Sequence, residues 1–244
     1  MIRAGEVLAT MRALPVRAPD QVLAPGPCLV LAPHPDDESL GCGGLIALAA
    51  AQRRQVHVAV LTDGTGSHAG SARYPAPRLA ALRGAEVAEA VTRLGLPASA
   101  LHFLRRPDRH APHDGPAFGA AVDRVRGLLG ACGAATLLTT WRGDPHGDHV
   151  AASLIARAAV RGTPIRLLEF PVWGWTLPDD TALAMAPPDG ARVDVRAVLA
   201  AKRAAIAAHV SQTTGLIDDD PSGFRLTARF VDLFTGDYET FLHV

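Results

Sequence analysis

Hydrophobic and polar positions follow two rhythms along most of the chain, and the switch between them marks the elements. Cys28 to Ala32 is a short, continuous apolar run, which reads as a buried strand, and the Ala/Leu-rich stretch Gly43 to Ala51 reads as a helix. Val56 to Thr62 is β-branched and strand-like. From Arg78 to Leu94, Leu79, Leu82, Val87 and Val91 recur near helical spacing, and Gly95 supplies the stop. The alternation continues with a short strand at Leu101–Leu104, a helix at Phe118–Leu129 and a strand at Ala135–Thr140. A helix at Val150–Val160, a strand at Ile165–Phe170 and a long helix at Val195–His209 follow. Residues 211–244 carry no clear rhythm. Residues 1–27, with Pro15, Pro19, Pro25 and Pro27, are expected to lie as a loose N-terminal arm.

Strands alternating with helices through short connections predict an α/β fold: a three-layer, Rossmann-like sandwich with a mainly parallel sheet covered on both faces. No repeat, low-complexity tract or composition break divides residues 28–244, so they are expected to form one domain. In such sheets ligands sit beyond the carboxyl ends of the strands. That edge is where chemistry is sought.

Composition changes the picture only by exclusion. Twenty-four basic residues balance twenty-four acidic ones, which argues against a nucleic-acid partner. The longest apolar stretch, Leu45 to Ala51, is too short to span a membrane. Cys28, Cys42 and Cys132 lie far apart without CxxC spacing and read as thiols of a reducing compartment, so the cytoplasm is expected. A homo-oligomer is compatible with all of this.

Two turns stand out, each directly behind a predicted strand. In His34-Pro35-Asp36-Asp37-Glu38, Pro35 holds His34 extended, and Asp37 follows where the chain bends toward the next helix. A histidine and an aspartate on one tight turn can converge on a single ion, and both are zinc ligands. Asp36, between them, is free to act on a metal-bound water. The second turn, His146-Gly147-Asp148-His149, follows the strand ending at Thr140. A catalytic zinc has three protein ligands and an open position, so His34, Asp37 and one of the two later histidines would complete a site. Ser39 and Asp148 also suit helix N-caps, a plainer use of the same residues. The two turns together, on one edge, favour a metal-dependent hydrolase.

At these residues the sequence resembles the PIG-L/LmbE-like family of zinc-dependent N-deacetylases. The resemblance rests on Ala32 to Glu38 (A-x-H-P-D-D-E), Thr62-Asp63-Gly64, the Arg83–Glu86 R-x-x-E pair and the His146–His149 H-x-D-H turn, and spans about residues 28–210. It implies one Zn2+ per chain held by His34, Asp37 and His149, with Asp36 as general base. It further implies that a protonated His146 faces the developing oxyanion and that Asp148 orients and polarises His146. Arg83 and Asp108 would contact a small N-acetylated, sugar-containing substrate. Asp144 stands where some relatives have an aromatic residue.

Trp173 and Trp175 follow the strand ending near Phe170 and are candidates to stack on a sugar ring. The Gly/Ser-rich segment Asp63–Tyr74 reads as a mobile lid with an exposed His68, and the His209–Gln212 segment as pocket wall. Competing readings are hydrolysis of a larger amide, of thiol-conjugate amidase type, and a two-metal hydrolase of metallo-β-lactamase type. The latter lacks the first histidine of HxHxDH. A non-catalytic binding module is disfavoured by the complete His/Asp set. A Rossmann nucleotide binder is disfavoured because Gly41-Cys42-Gly43-Gly44 follows an acidic turn that repels a pyrophosphate.

Overall fold

A computed structural model describes residues 1–244. The strands are β1 (Ile2–Arg3), β2 (Cys28–Ala32), β3 (Val56–Thr62), β4 (Leu101–Arg106), β5 (Thr136–Thr140), β6 (Arg166–Phe170), β7 (Ala182–Leu183), β8 (Gly190–Asp194) and β9 (Tyr238–His243). The helices are α1 (Ala4–Ala13), α2 (Pro19–Val22), α3 (Asp37–Ala51), α4 (Ala76–Arg93), α5 (Gly115–Cys132), α6 (Gly147–Val160), α7 (Leu199–Ala208), α8 (Val210–Thr213) and α9 (Ala228–Asp232).

Seven strands form one sheet in the order β4-β3-β2-β5-β6-β9-β8. The first five run parallel, and β9 and β8 add an antiparallel edge. The period of two along each strand splits the core into two layers. Leu29, Leu31, Ala59, Leu61 and Leu137 pack with α5 and α6, whereas Val30, Val58, Val60 and Leu138 pack with α3, α4 and α7. From β2 the chain winds outward to β3 and β4, then returns to β5 and winds the other way. The order therefore reverses between β2 and β5, and the crevice at such a switch point is the expected ligand site.

The helix after β2 begins earlier than its Ala/Leu pattern indicates, at Asp37, and kinks at Cys42 (φ −142°, ψ 17°). A side chain at Gly41 would meet the Phe170 ring at 2.1 Å, so only glycine lets this turn cross β6. Beyond the kink, the N–H groups of Gly44 and Leu45 donate to the Glu239 carboxylate at 2.6 and 2.7 Å, and the buried Lys202 ammonium donates to the same group at 2.6 Å. The C-terminal strand thus caps a helix restarted in mid-course.

Three expectations need correction. Residues 1–27 are not a loose arm: β1 pairs with β7, and Val7, Leu8 and Met11 of α1 are buried with Trp141 and Leu242. Their helical spacing was obscured by the prolines downstream. The stretch 195–209 is not one long helix: it begins just past β8, forms a 3-10 turn at Arg196–Val198 and then α7, and breaks at His209 (φ −78°, ψ 62°) before α8. Asp63–Tyr74 also departs from expectation, forming a 3-10 turn at Thr65–His68 with His68 buried. Asp219 and Asp220 hold it through Ser71, Arg73 and Gly70.

Candidate metal centre and its pocket

β2 and β5 deliver the two His/Asp turns to the same crevice. His34 Nδ1 lies 3.1 Å from Asp37 Oδ2, and His149 Nε2 lies 3.3 Å from the same oxygen. Ligand atoms around a tetrahedral zinc are separated by roughly 3.3 Å, given metal–ligand distances of about 2.0–2.2 Å. Asp37 Oδ2 already stands at about that spacing from each of the two nitrogens.

The surroundings fix which nitrogen each ring offers. His149 Nδ1 donates to Asp144 Oδ2 at 2.8 Å, which leaves the Nε2 lone pair pointing inward. That nitrogen is completely buried and has no hydrogen-bond partner. A buried ring nitrogen without a partner, beside a carboxylate, suits a positive charge between them, a proton or a metal ion. His34 Nε2 faces Asp148 Oδ2 at 3.1 Å and Asp108 Oδ1 at 3.2 Å, so its Nδ1 is likewise the inward nitrogen. Both rings carry a carboxylate on the far nitrogen, the arrangement that orients metal-binding histidines. Burial alone would lower the His149 pKa, but Asp37 and Asp144 outweigh it and push it up to about 9. Burial of His34 is likewise outweighed, by Asp108, Asp148 and Asp37, and its pKa stands well above the usual value. Without a metal, protons supply the positive charge that this cluster demands.

Asp36 occupies a strained backbone position, φ 146°, which L-residues rarely adopt. Its N–H donates to Glu38 Oε2 at 3.0 Å, and Arg83 Nη2 donates to both Pro35 O (2.7 Å) and Asp36 Oδ2 (3.0 Å). Burial pushes the Asp36 carboxyl up to about 7, against Arg83 and with help from Asp37. Arg83 Nη1 donates to Gly64 O at 2.8 Å, and a Cβ at Gly64 (φ +70°) would lie 2.7 Å from that guanidinium. The glycine of Thr62-Asp63-Gly64 is therefore a seat for Arg83.

His146 lies beside these groups, its ring 4.7 Å from that of His34 and 5.0 Å from that of His149. Its Nδ1 accepts the Asp148 backbone N–H at 3.2 Å, which leaves the ring proton on Nε2. Burial and the neighbouring His34 and His149 lower its pKa to about 4, a shift that disfavours the imidazolium form. The Asp148 carboxylate does not meet the His146 ring as expected. It holds His34 Nε2 and accepts the Arg109 and Ala111 N–H groups at 2.7 and 3.0 Å.

A cavity of about 280 Å³ opens over this cluster, lined by His34, Asp36, Asp37, Arg83, Asp108 and His146 on one side. Trp173, Phe224, Leu226 and Phe230 form an apolar wall opposite. Trp173 packs on Phe230 with ring centroids 4.4 Å apart. Trp175 is not part of this lining: it packs against the α1 cluster, with Arg12 over its ring at 5.6 Å. Arg83 and Asp108 line the cavity, but their polar atoms largely serve the protein. Asp108 Oδ2 accepts the Gly66 N–H at 2.9 Å. Its pKa is held well below the usual range, burial being outweighed by His34, Arg83 and that N–H.

Asp144 has a place in this site that the sequence reading did not assign, and Gln212 lies in the segment read as pocket wall. Asp144 is buried and accepts the N–H groups of Val172, Trp173 and Gly174 as well as His149 Nδ1. It joins the second turn to the tryptophan wall. Gln212 also lines the cavity. Its Nε2 donates to Ser211 Oγ and Ser67 Oγ, while its buried Oε1 has no partner. The signal for Gln212 was present in the His209–Gln212 segment. His209 Nε2 lies 3.2 Å from Glu38 Oε1, and Ser211 donates to Glu86, so this segment clamps the first turn and α4.

A doubly wound sheet with a zinc-type donor set at its switch point is an α/β fold with a candidate metal site at its ligand-binding edge. The chain belongs to the PIG-L family: the family described as "PIG-L: GlcNAc-PI de-N-acetylase" matches residues 29–160, just over half of the 244. No curated protein matches the chain in sequence. Among solved structures, it is similar to the N,N'-diacetylchitobiose deacetylase of Pyrococcus horikoshii, with 20% identity, TM-score 0.66 and coverage of 88% of this chain and 82% of that one. The conserved protein TT1542 of Thermus thermophilus is similar at 28% identity, TM-score 0.61, over 88% and 93%. A triple mutant of a deacetylase of the teicoplanin biosynthetic pathway is similar at 19% identity, TM-score 0.68, over 88% and 96%.

Proposed function

We propose that the protein is a zinc-dependent hydrolase that removes the acetyl group from an N-acetylated amine, an amino sugar derivative. The observation that carries the reading is the placement of Asp36, held by Arg83 Nη2 at 3.0 Å, beside the His34/Asp37/His149 donor set. Family membership supports the reaction class, and the similar deacetylase structures support the fold on which it runs.

His34 Nδ1, Asp37 and His149 Nε2 would hold one zinc ion. When bound, zinc supplies a water of lowered pKa and a Lewis-acid contact for the carbonyl oxygen. Asp36 takes the proton from the attacking water, and Arg83 holds its carboxylate toward the cavity. His146 donates Nε2–H to the carbonyl oxygen as negative charge develops there, and it does so as a neutral imidazole with a fixed tautomer. Asp36 then returns its proton to the departing amine, giving acetate and a free amine. Asp148 and Asp144 position the ligand histidines rather than touching the reaction. Trp173 offers a flat face to a sugar ring, and the unpaired Gln212 Oε1 accepts from a substrate hydroxyl or N–H.

No helix is long and apolar enough to cross a membrane, and the three free cysteines support a reducing, cytoplasmic compartment. The decisive experiment is acetate release by the zinc-loaded protein from a panel of N-acetylglucosamine derivatives and larger amides. Turnover confined to amides without an acetyl group would move the assignment to the amidase reading.

A further inference from the structure

A second set of metal-ligating side chains lies at the other end of the sheet. His57 stands near the start of β3, His102 near the start of β4, and Cys132 is the last residue of α5. His57 alternates in step with Ala59 and Leu61, which pack against α5, and His102 pairs in register with Ala59. Both imidazoles therefore project from the sheet face that α5 covers, and the end of that helix brings Cys132 over them. His57 Nδ1 and His102 Nε2 are 3.1 Å apart, with the rings stacked at 24°. One donor atom from each of the three residues lies within 4.8 Å of the others, and all three residues are half-buried.

The contact between the two rings is the one side-chain hydrogen bond that either makes. Its 3.1 Å is close to the roughly 3.3 Å between nitrogens on a tetrahedral zinc. We propose that His57, His102 and Cys132 form a second metal site for a borderline divalent transition ion such as zinc or cobalt, clamping the end of α5 to the β3–β4 edge. The donor set is two imidazoles and a thiolate with no carboxylate, which suits zinc or cobalt and not magnesium or calcium. Partial burial leaves a fourth position for water. Binding requires the Cys132 thiol to lose its proton to solvent, and the resulting thiolate offsets Arg124, the cation that acts on His102. The site is independent of the proposed deacetylase centre, whose ligands are nitrogen and oxygen only.

That difference in donors gives the test. The metal-stripped full-length protein is titrated with cobalt(II), and a thiolate-to-cobalt charge-transfer band in the near ultraviolet is sought. The band should appear in the wild type and in His149→Ala, which reports on this site even when the other is disabled. It should vanish in Cys132→Ser and in the His57→Ala/His102→Ala double variant, with zinc content falling from two ions per chain to one. Cys132→Ser should keep its wild-type circular dichroism and the pocket's cobalt d–d absorption, so loss of the band cannot be loss of fold. A wild type with no such band in excess cobalt, or a band that survives Cys132→Ser, overturns the proposal.

Discussion

Asp144 accepts the Nδ1 proton of His149 at 2.8 Å, and that single contact decides which nitrogen of His149 faces the candidate centre. The same carboxylate collects three backbone N–H groups from the Trp173 turn. One buried acid thus couples ligand orientation to the shape of the substrate wall. Asp144→Asn should lower zinc affinity about 10–100-fold, the usual cost of losing such a partner. His34→Ala, Asp37→Ala and His149→Ala should each lose the pocket ion outright. Chelator competition and elemental analysis, read against the Cys132→Ser background, provide the check. Unchanged affinity in Asp144→Asn would show that His149 does not depend on this contact.

The metal-free centre should behave as a proton store. The His149 pKa is raised to about 9 by Asp37 and Asp144 over the opposing effect of burial, so at pH 7.5 the ring is protonated until a cation displaces the proton. Zinc binding should release protons, visible as a dependence of calorimetric heat on the ionisation enthalpy of the buffer. The sign for stability follows. A raised folded-state pKa stabilises the metal-free protein fully below the unfolded value of about 6.5, and that contribution is lost as pH rises through about 9. Thermal unfolding of the metal-free protein should therefore fall in temperature between pH 7 and pH 10. Buffer-independent heats would mean that the histidines are neutral before zinc arrives.

Much of this architecture was legible in the sequence because short apolar runs and Ala/Leu stretches specify buried strands and helices by local pattern alone. Cys28–Ala32 and Val56–Thr62 have the bounds read from sequence. The antiparallel edge was not legible. Gly190–Asp194 and Tyr238–His243 are held by cross-strand pairing and by Glu239 capping the kinked α3, which are contacts between distant residues with no local signature. The same reasoning divides the site. His34, Asp36, Asp37, His146 and His149 do meet in one crevice, because two tight turns sit at adjacent strand ends. Which carboxylate meets which ring depends on side-chain geometry across the crevice. Asp148 was therefore assigned to His146 when its carboxylate in fact faces His34.

The two tryptophans should separate experimentally. Trp173→Ala removes part of the cavity wall and should raise KM for a sugar substrate, with a smaller change in kcat. Trp175→Ala opens the packing beneath α1 and should lower Tm, leaving KM nearly unchanged, as truncation of a largely buried aromatic costs up to about 3–5 kcal/mol. Equal effects of both on KM would place Trp175 at the pocket after all.

The sharpest prediction concerns Asp36, Arg83 and His146, whose proposed roles differ in pH dependence as well as in rate. Asp36→Asn should retain zinc and lose about 10²–10⁴-fold in kcat, since general acid–base groups typically supply that much. His146→Ala should lose about 10²–10³-fold as an oxyanion donor. The two losses should be less than additive, because both residues serve one transition state. A base must be ionised to act, so activity in the wild type should rise with pH along an acidic limb set by Asp36. Arg83 lowers the Asp36 pKa, so Arg83→Gln should move that limb to higher pH. His146 donates as a neutral ring, held in one tautomer by the Asp148 N–H, so His146→Ala should depress the whole profile without moving its limbs. A limb that stays in place in Arg83→Gln would remove Asp36 as its source. A shift of the alkaline limb in His146→Ala would mean that this ring acts as an imidazolium despite the neighbours that disfavour its charge.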